Sequence, residues 1–135
     1  MKRLTDYSVG ELLADVQLSP VTRMDLIQYS GASGDFNPIH TIDKEAEKAG
    51  LPGIIAHGMW TMGNLSKIFT PYYEEGFIQE YSIRFKEMVR LDDILTLRAK
   101  VAKKSESRRF FDTVAVNQNQ KEVIKGQVIF RLYHE

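Results

Sequence analysis

The chain has 135 residues, with 18 Lys and Arg against 18 Asp and Glu, and therefore no formal net charge. This length suits one domain, residues 1–135, and a composition of 43% hydrophobic and 27% charged residues excludes a disordered tail or a fibre. The balanced charge gives no overall attraction to nucleic acid, and the lack of cysteine excludes disulfides, thiolate metal sites and cysteine nucleophiles.

The chain opens without the pattern of an export signal. Two basic residues come first, but Asp6, Glu11 and Asp15 stand where a signal peptide carries its apolar run. The longest stretch without a charge, residues 49–66, is too short and too rich in Gly, Thr and Asn to span a bilayer. We therefore expect a mature cytoplasmic protein with neither a membrane nor a nucleic-acid partner.

The first predicted elements are a short strand and a helix. Apolar residues alternate over residues 12–18, which predicts a strand with one apolar face. An amphipathic helix is predicted to begin at Thr22 and to fail at two glycines, Gly31 and Gly34. Its apolar positions are Met24, Ile27 and Tyr29.

A second helix, which we call the central helix, is predicted between His57 and Tyr73. Lys67 is the only charged residue from position 51 to position 73, and apolar residues surround nearly the whole helical circumference. A helix that is apolar on every side is a buried helix. Its apolar residues are Met59, Trp60, Met62, Leu65, Ile68 and Phe69.

The second half of the chain predicts an antiparallel sheet. Four runs alternate apolar and polar residues with a period of two, and turn signals separate them at distances that suit antiparallel neighbours. The runs cover residues 77–86, 95–101, 110–116 and 124–132, and the turns fall at residues 91–93, 104–107 and 117–121. In the first run, one face carries Phe77, Tyr81, Ile83 and Phe85. An apolar face needs a second layer, so we expect the central helix to cover it in an α+β fold.

The loop after the first helix carries the candidate chemistry. Asn37 precedes Pro38 and is therefore restricted to extended conformations, so a sharp turn can bring the side chains of Asp35 and His40 to one point. An Asp and a His that share one water form an acid/base pair. The alternative is purely structural: Asp35 caps the turn and His40 caps the next helix.

A Gly-rich segment, residues 50–58, leads into the central helix. Backbone N–H groups near Gly58 lie at a helix N-terminus, where they have no partner within the helix. One well-aimed donor of this kind stabilises an oxyanion by about 3 to 4 kcal/mol. The alternative is that Gly53 and Gly58 only permit a tight loop and close packing.

Two motifs carry a resemblance to a known family. The run YSGASGDFNPIH, residues 29–40, is followed by GLPGIIAHGMWTMG, residues 50–63. Together they resemble the MaoC-like family of (R)-specific enoyl-CoA hydratases and 3-hydroxyacyl thioester dehydratases. The resemblance implies a single hot dog domain, in which an antiparallel sheet wraps around a long central helix. It also implies a hydro-lyase that adds water to a trans-2-enoyl thioester, or removes it from the (R)-3-hydroxyacyl thioester.

The same resemblance assigns roles to individual residues. Asp35 and His40 would together hold the catalytic water, and Asn37 would fix the site. The N–H of Gly58 would polarise the thioester carbonyl. Ser66 matches a serine that supports the site in some relatives.

Further residues are predicted to contact substrate. We include Gly53 with Ser66 in this set, and we expect Arg84 and Lys86 to meet the phosphates of coenzyme A or the acidic face of an acyl carrier protein. The alternative for the two basic residues is a solvated sheet face of alternating charge.

The expected chemistry needs no metal, nicotinamide or flavin. The sequence contains neither a Gly-rich dinucleotide turn nor an HExxH motif. A metal site that uses Asp35 and His40 is the alternative. Because an isolated hot dog sheet exposes its edges, we expect a homodimer, with a second hot dog chain as the alternative partner. Two other functions compete: a hot dog thioesterase and a non-catalytic module that binds acyl thioesters.

Overall fold

A computed structural model describes residues 2–134. The α-helices are α1 (Arg23–Ser33), α2 (Asp43–Lys48) and α3 (Gly58–Leu65), and short 3₁₀ segments cover Leu4–Asp6, Pro38–His40 and Ser66–Tyr72. The strands are β1 (Val16–Gln17), β2 (Gly76–Phe85), β3 (Thr96–Ser105), β4 (Arg108–Val116) and β5 (Glu122–Leu132). Among these residues no helix is both long and apolar enough to cross a membrane.

The strands form one antiparallel sheet in the order β1-β3-β4-β5-β2. This confirms the α+β architecture and the four long strands. The prediction that all consecutive strands are neighbours is wrong for β2 and β3, since β2 pairs with β5 instead. The turn at residues 91–93 does not close a hairpin because it bonds to the segment before α1: the N–H of Asp92 donates to the carbonyl of Val21.

The alternation predicted for β2 is interrupted by a bulge. The register with β5 shifts between Ile78 and Glu80, so the residue between them is unpaired and the side chains change face. Phe77 is therefore 40% exposed, whereas Ile78 packs against the core. Phe85, also predicted on the covered face, is 52% exposed. The predicted apolar face of this strand is thus only partly covered.

The core lies between the sheet and the segment that begins with α3. Leu65 and Phe69 are completely buried in it. The Phe69 ring packs edge-on against Phe111 of β4, with ring centroids 5.1 Å apart, and it stacks on Phe130 of β5 at 6.0 Å. Aromatic rings in such contacts stabilise a core beyond their buried area. This layer positions the start of α3.

The predicted central helix is present but shorter than expected. The α-helix runs only from Gly58 to Leu65 and tightens into the 3₁₀ segment Ser66–Tyr72, which contains Pro71. Proline lacks the N–H that a continued α-helix needs, so a regular α-helix could not run unbroken through Pro71 to Tyr73. The helix is also not buried on every side, because Met59 is 57% exposed.

Helix α1 begins where the sequence predicts. The Thr22 hydroxyl accepts from the N–H of Asp25, and the Asp25 carboxylate accepts from the N–H of Thr22. The helix passes through Gly31 and ends at Gly34, which has a φ of 77°. The predicted apolar positions Met24 and Ile27 are 59% and 45% exposed. The residues that α1 buries are Leu26 and Ser30.

The segment 12–18 pairs with β3 in two separate places. Val16 and Gln17 form the short strand β1, and Leu12 makes an isolated antiparallel bridge to Lys100. The predicted strand is therefore confirmed in part. The segment lies on β3 at the sheet edge opposite β2.

Candidate active site

The loop from Gly34 to His40, which we call the catalytic loop, is held by its own side chains. The Ser33 hydroxyl accepts from the N–H of Asp35 at 3.1 Å, and the Asp35 carboxylate accepts from the N–H of Asn37 at 3.2 Å. The Asn37 amide oxygen accepts from the N–H of Ile39 at 3.2 Å. The turn-capping by Asp35 that the structural alternative proposed is therefore observed, and Asn37 caps the 3₁₀ segment that carries His40.

The His40 side chain is almost fully buried, with 7% of its surface exposed. Its Nδ1 lies 2.7 Å from the carbonyl oxygen of Ile55. Because a carbonyl oxygen only accepts, the Nδ1 carries the proton and the Nε2 is left with a free lone pair. His40 is thus oriented as a base.

The Gly-rich segment is fastened directly to the catalytic loop. In addition to its carbonyl bond to His40, Ile55 donates its N–H to the carbonyl of Ile39 at 3.2 Å. The next residue, Ala56, donates its N–H to the carbonyl of Val89 at 2.8 Å. These bonds hold the two motifs together.

Asp35 and His40 do converge. The carboxylate of Asp35 and one ring nitrogen from each of His40 and His57 all lie within 4.8 Å of one another. Two groups that bond to the same water are about 4.5 Å apart, given hydrogen bonds of about 2.8 Å. The Asp35 side chain is exposed, so solvent can reach this point. The arrangement therefore suits a water held between an acid and a base.

The third member of this group, His57, was not predicted as a site residue. Its ring is 2% exposed and stacks on His40, with centroids 3.8 Å apart and an angle of 24° between the planes. Its Nε2 lies 3.1 Å from the Ser30 hydroxyl and 3.2 Å from the carbonyl oxygen of Asp35. Burial lowers the pKa of His57, and the nearby His40 lowers it further, so the ring is held neutral. Its position directly before Gly58 was the available sequence signal.

The three side chains fit an acid/base site better than a metal site. Imidazole nitrogens bind an ion at about 2.1 Å, along directions that lie in the ring planes. The rings of His40 and His57 are nearly parallel, so their lone pairs do not converge on one point. One nitrogen of each ring is also already within bonding distance of a backbone carbonyl.

Gly58 begins α3, and no side chain caps this helix start. A cavity of about 450 Å³ adjoins it, lined mainly by apolar side chains. Ile55 lines the same cavity and, through its carbonyl, contacts His40, which connects the cavity to the catalytic loop. A β-carbon at position 58 would lie 3.0 Å from the ring of Phe85. The helix start therefore faces an open space that a side chain would narrow.

The structure places the four predicted substrate-binding residues in different surroundings. Lys86 lines the cavity beside Gly58 and forms an ion pair with Glu122 at 2.9 Å. Arg84 does not line this cavity; it lies in a second groove, which Lys86 also lines, opposite Lys125 on the paired strand. The Ser66 hydroxyl donates to the carbonyl of Gly63 at 2.6 Å.

Ser66 and Gly53 are not among the residues that line the cavity. Ser66 follows the last residue of α3, which places it about 12 Å from Gly58 along the helix axis at 1.5 Å per residue. Gly53 lies in the loop before α3, where a β-carbon would meet open space. The structure thus brings Asp35, His40 and Gly58 to one region, whereas Ser66 and Gly53 do not line its cavity and stay predictions.

Comparison with known proteins identifies the family. The model of the MaoC-like domain matches residues 7–124. The chain is 27% identical over 128 residues to the mitochondrial 3-hydroxyacyl-[acyl-carrier-protein] dehydratase of Arabidopsis thaliana, covering 91% of this chain and 76% of that protein. It is 34% identical over 109 residues to the fatty acid synthase subunit beta of Aspergillus oryzae, covering 77% of this chain but only 5% of that subunit.

A solved structure supports the same assignment. The R-hydratase PhaJ1 from Pseudomonas aeruginosa superposes with a TM-score of 0.87 at 28% identity, covering 97% of this chain and 85% of that one. This confirms the predicted hot dog fold. The names of the relatives support the predicted hydro-lyase class. The chain belongs to the MaoC-like domain family.

Proposed function

We propose that this chain is an (R)-specific hydratase/dehydratase that interconverts trans-2-enoyl and (R)-3-hydroxyacyl thioesters. The observation that carries the proposal is the convergence of the Asp35 carboxylate and a His40 ring nitrogen within 4.8 Å. The uncapped helix start at Gly58 supplies the complementary donor. The hydratase and dehydratase names of the relatives support this class of reaction.

The proposed reaction begins with polarisation of the thioester. The N–H of Gly58 donates to the carbonyl oxygen, which draws electrons from the double bond and makes C3 electrophilic. The water between Asp35 and His40 adds its oxygen to C3 and loses a proton to this pair. C2 receives a proton from the same side, so H and OH add in a syn manner. The pair returns to its starting protonation state, and no electron is gained or lost, so no redox cofactor takes part.

The cavity beside Gly58 suits the acyl part of such a substrate. Phe85, Met88 and Ile124 give it an apolar lining, and Lys86 and Glu87 add charged side chains to it. We propose that Lys86 and Arg84 contact the carrier, which is coenzyme A or an acyl carrier protein. Replacement of either residue by Ala should raise KM for the thioester and leave kcat within about threefold, since neither touches the reacting atoms.

The free edge of the sheet supports the proposal of a homodimer. Strand β2 lies at one edge of the described sheet and carries the exposed rings of Phe77 and Phe85. An open edge with apolar side chains favours pairing with another chain. Light scattering of the purified protein tests this: a mass near twice 15.5 kDa supports the homodimer, whereas a monomer that becomes active only with a second hot dog chain supports the heteromeric alternative.

The decisive experiment is turnover of crotonyl-CoA and of a longer enoyl-CoA, followed as loss of the enoyl-thioester absorbance. Asp35→Asn and His40→Ala should each lower kcat by a factor of about 10² to 10⁴ while the protein stays folded. Asp43→Asn and His134→Ala are matched controls, because both side chains are exposed and lie outside the cluster.

The product identifies the reaction. A mass gain of one water and an (R) alcohol by chiral analysis support the proposal. Release of free thiol without addition of water would instead identify a thioesterase. Binding of the enoyl thioester without turnover, under conditions in which the protein is folded and dimeric, would identify a binding module and overturn the proposal.

A further inference from the structure

The buried His57 contacts every part of the proposed site. Its ring stacks on His40, its Nε2 lies 3.2 Å from the carbonyl oxygen of Asp35, and its backbone directly precedes Gly58. The Tyr29 ring meets it edge-on, with centroids 4.8 Å apart. One side chain therefore joins helix α1, the catalytic loop and the start of α3.

The contacts determine which nitrogen of His57 carries a proton. The Nε2 of His57 lies 3.2 Å from the carbonyl oxygen of Asp35, which only accepts, and 3.1 Å from the Ser30 hydroxyl, which can also accept, so a proton on Nε2 satisfies both neighbours. The Nδ1 is buried and has no hydrogen-bond partner within residues 2–134. A proton on Nδ1 would be a buried donor without an acceptor, on a ring that would then be charged, and both are costly. The ring is therefore neutral, with its proton on Nε2.

The groups around His57 show what a positive charge on its ring would disturb. The titratable groups that face it are His40, Asp35 and Tyr29. An imidazolium at His57 would place a positive charge 3.8 Å from the ring of His40, between ring centroids. A base in that position would hold an added proton less readily. The hydrogen-bond contacts give the two histidines opposite tautomers. His40 carries its proton on Nδ1, and His57 carries its proton on Nε2.

We propose that His57 is a positioning residue: its Nε2–H fixes the backbone of Asp35, and its ring fixes the plane of His40. The proposal rests on the proposed function for its kinetic consequences, although the arrangement of the two rings stands independently of it. A catalytic group displaced by about 1 Å can lose a factor of about 10² in rate. His57 itself does not exchange a proton with the substrate.

The first test is nuclear magnetic resonance of the histidine ring nitrogens at neutral pH. The chain has 3 histidines, and single replacements assign each signal. We expect the Nε2–H tautomer at His57 and the Nδ1–H tautomer at His40. A doubly protonated His57, or one with its proton on Nδ1, would overturn the proposal. This result does not depend on whether the protein turns over any thioester.

The second test separates the bond to Asp35 from the stacking. His57→Phe keeps a flat ring but removes the donor, whereas the side-chain amide of His57→Gln can replace the Nε2–H. We expect kcat for crotonyl-CoA to fall about 10²-fold in His57→Phe, with KM within threefold, and to be at least tenfold higher in His57→Gln than in His57→Phe. Thermal melting of both variants serves as the folding control.

The outcomes are distinct. If folded His57→Phe keeps more than a third of the wild-type kcat, His57 does not position the site. If both variants lose activity only in proportion to a loss of folded protein, the role of His57 is structural and the proposal is overturned. If the tautomers are as expected but the wild-type protein hydrates no enoyl thioester, the proposed function fails while the arrangement of the histidines remains.

Discussion

The sheet and the catalytic loop are stabilised in different ways. Strands β4 and β5 pair along most of their length and bury aromatic side chains such as Phe111 and Phe130, which are at most 1% exposed. The catalytic loop is exposed over most of its length, and side-chain bonds of 3.1 to 3.2 Å to its own backbone maintain its shape. Stability should therefore reside in the sheet, whereas the loop should set the geometry of the proposed reacting groups. Substitutions in the two regions should change different measured quantities.

The largest effect on stability is expected from Phe111→Ala. This ring is 1% exposed and contacts Phe69, so its removal leaves a cavity in the core. The free energy of unfolding should fall by about 3 to 5 kcal/mol, measured by urea denaturation. Hydratase activity per folded molecule should stay within threefold of wild type. A large loss of kcat in fully folded protein would contradict the separation of the two regions.

Gly58→Ala should lower the activity and leave the stability unchanged. The added β-carbon at position 58 would lie 3.0 Å from the exposed ring of Phe85 and would narrow the cavity at the proposed donor to the thioester carbonyl. We expect kcat/KM to fall about tenfold, which corresponds to a loss of about 1.4 kcal/mol in transition-state stabilisation. The free energy of unfolding should not fall, because alanine favours helices more than glycine does. Adding Phe85→Leu should restore part of the activity. A Gly58→Ala protein with wild-type kcat/KM would show that the substrate does not need the space between Gly58 and the Phe85 ring.

Thr22→Ala tests whether a helix cap remote from the loop affects only stability. The substitution removes the acceptor for the N–H of Asp25 at the start of α1. The free energy of unfolding should fall by about 1 kcal/mol, measured by thermal and urea denaturation, with kcat unchanged. A change in kcat would mean that α1 transmits strain to the loop through Ser30, which contacts His57.

The smallest expected effect is a pH dependence of stability that arises from His57. Its pKa is lowered in the folded protein, mainly by burial, so the unfolded chain binds the proton at a higher pH. The unfolded state therefore binds more protons once the pH falls below about 6.5, and stability declines with falling pH. His57→Gln should flatten this part of the stability profile. A wild-type profile that is equally flat from pH 7 to pH 5 would contradict the assignment of a neutral His57.

The sequence predicted the sheet well because strand periodicity is a local signal. The runs ending near Val116 and Leu132 appear as β4 and β5, and the cap at Thr22 is where it was expected. The errors concern relations between distant parts of the chain. The pairing of β2 with β5 and the bulge after Ile78 depend on packing that no local pattern reveals.

The sequence likewise indicated the candidate site residues that lie close together in the chain and missed the one that lies far from them. Asp35 and His40 are five positions apart, so a turn can join them, and the structure does bring them together. His57 lies 17 positions further along, and non-local contacts bring the two motifs together: the bonds of Ile55 to the catalytic loop and the bond of His57 to the carbonyl of Asp35. Ser66 was predicted from the family resemblance alone, and its role stays a prediction, since its hydroxyl donates to the carbonyl of Gly63 and it does not line the cavity beside Gly58.

The most direct test of the account is a double-mutant cycle of Asp35→Asn and His40→Ala, with kcat/KM for crotonyl-CoA measured for all four proteins. Two groups that act on one water function as a unit, so either substitution should abolish most of their joint contribution. We predict that the double variant is within about threefold of the slower single variant. A double variant whose loss equals the product of the two single losses would show that Asp35 and His40 act independently, and would contradict the shared water.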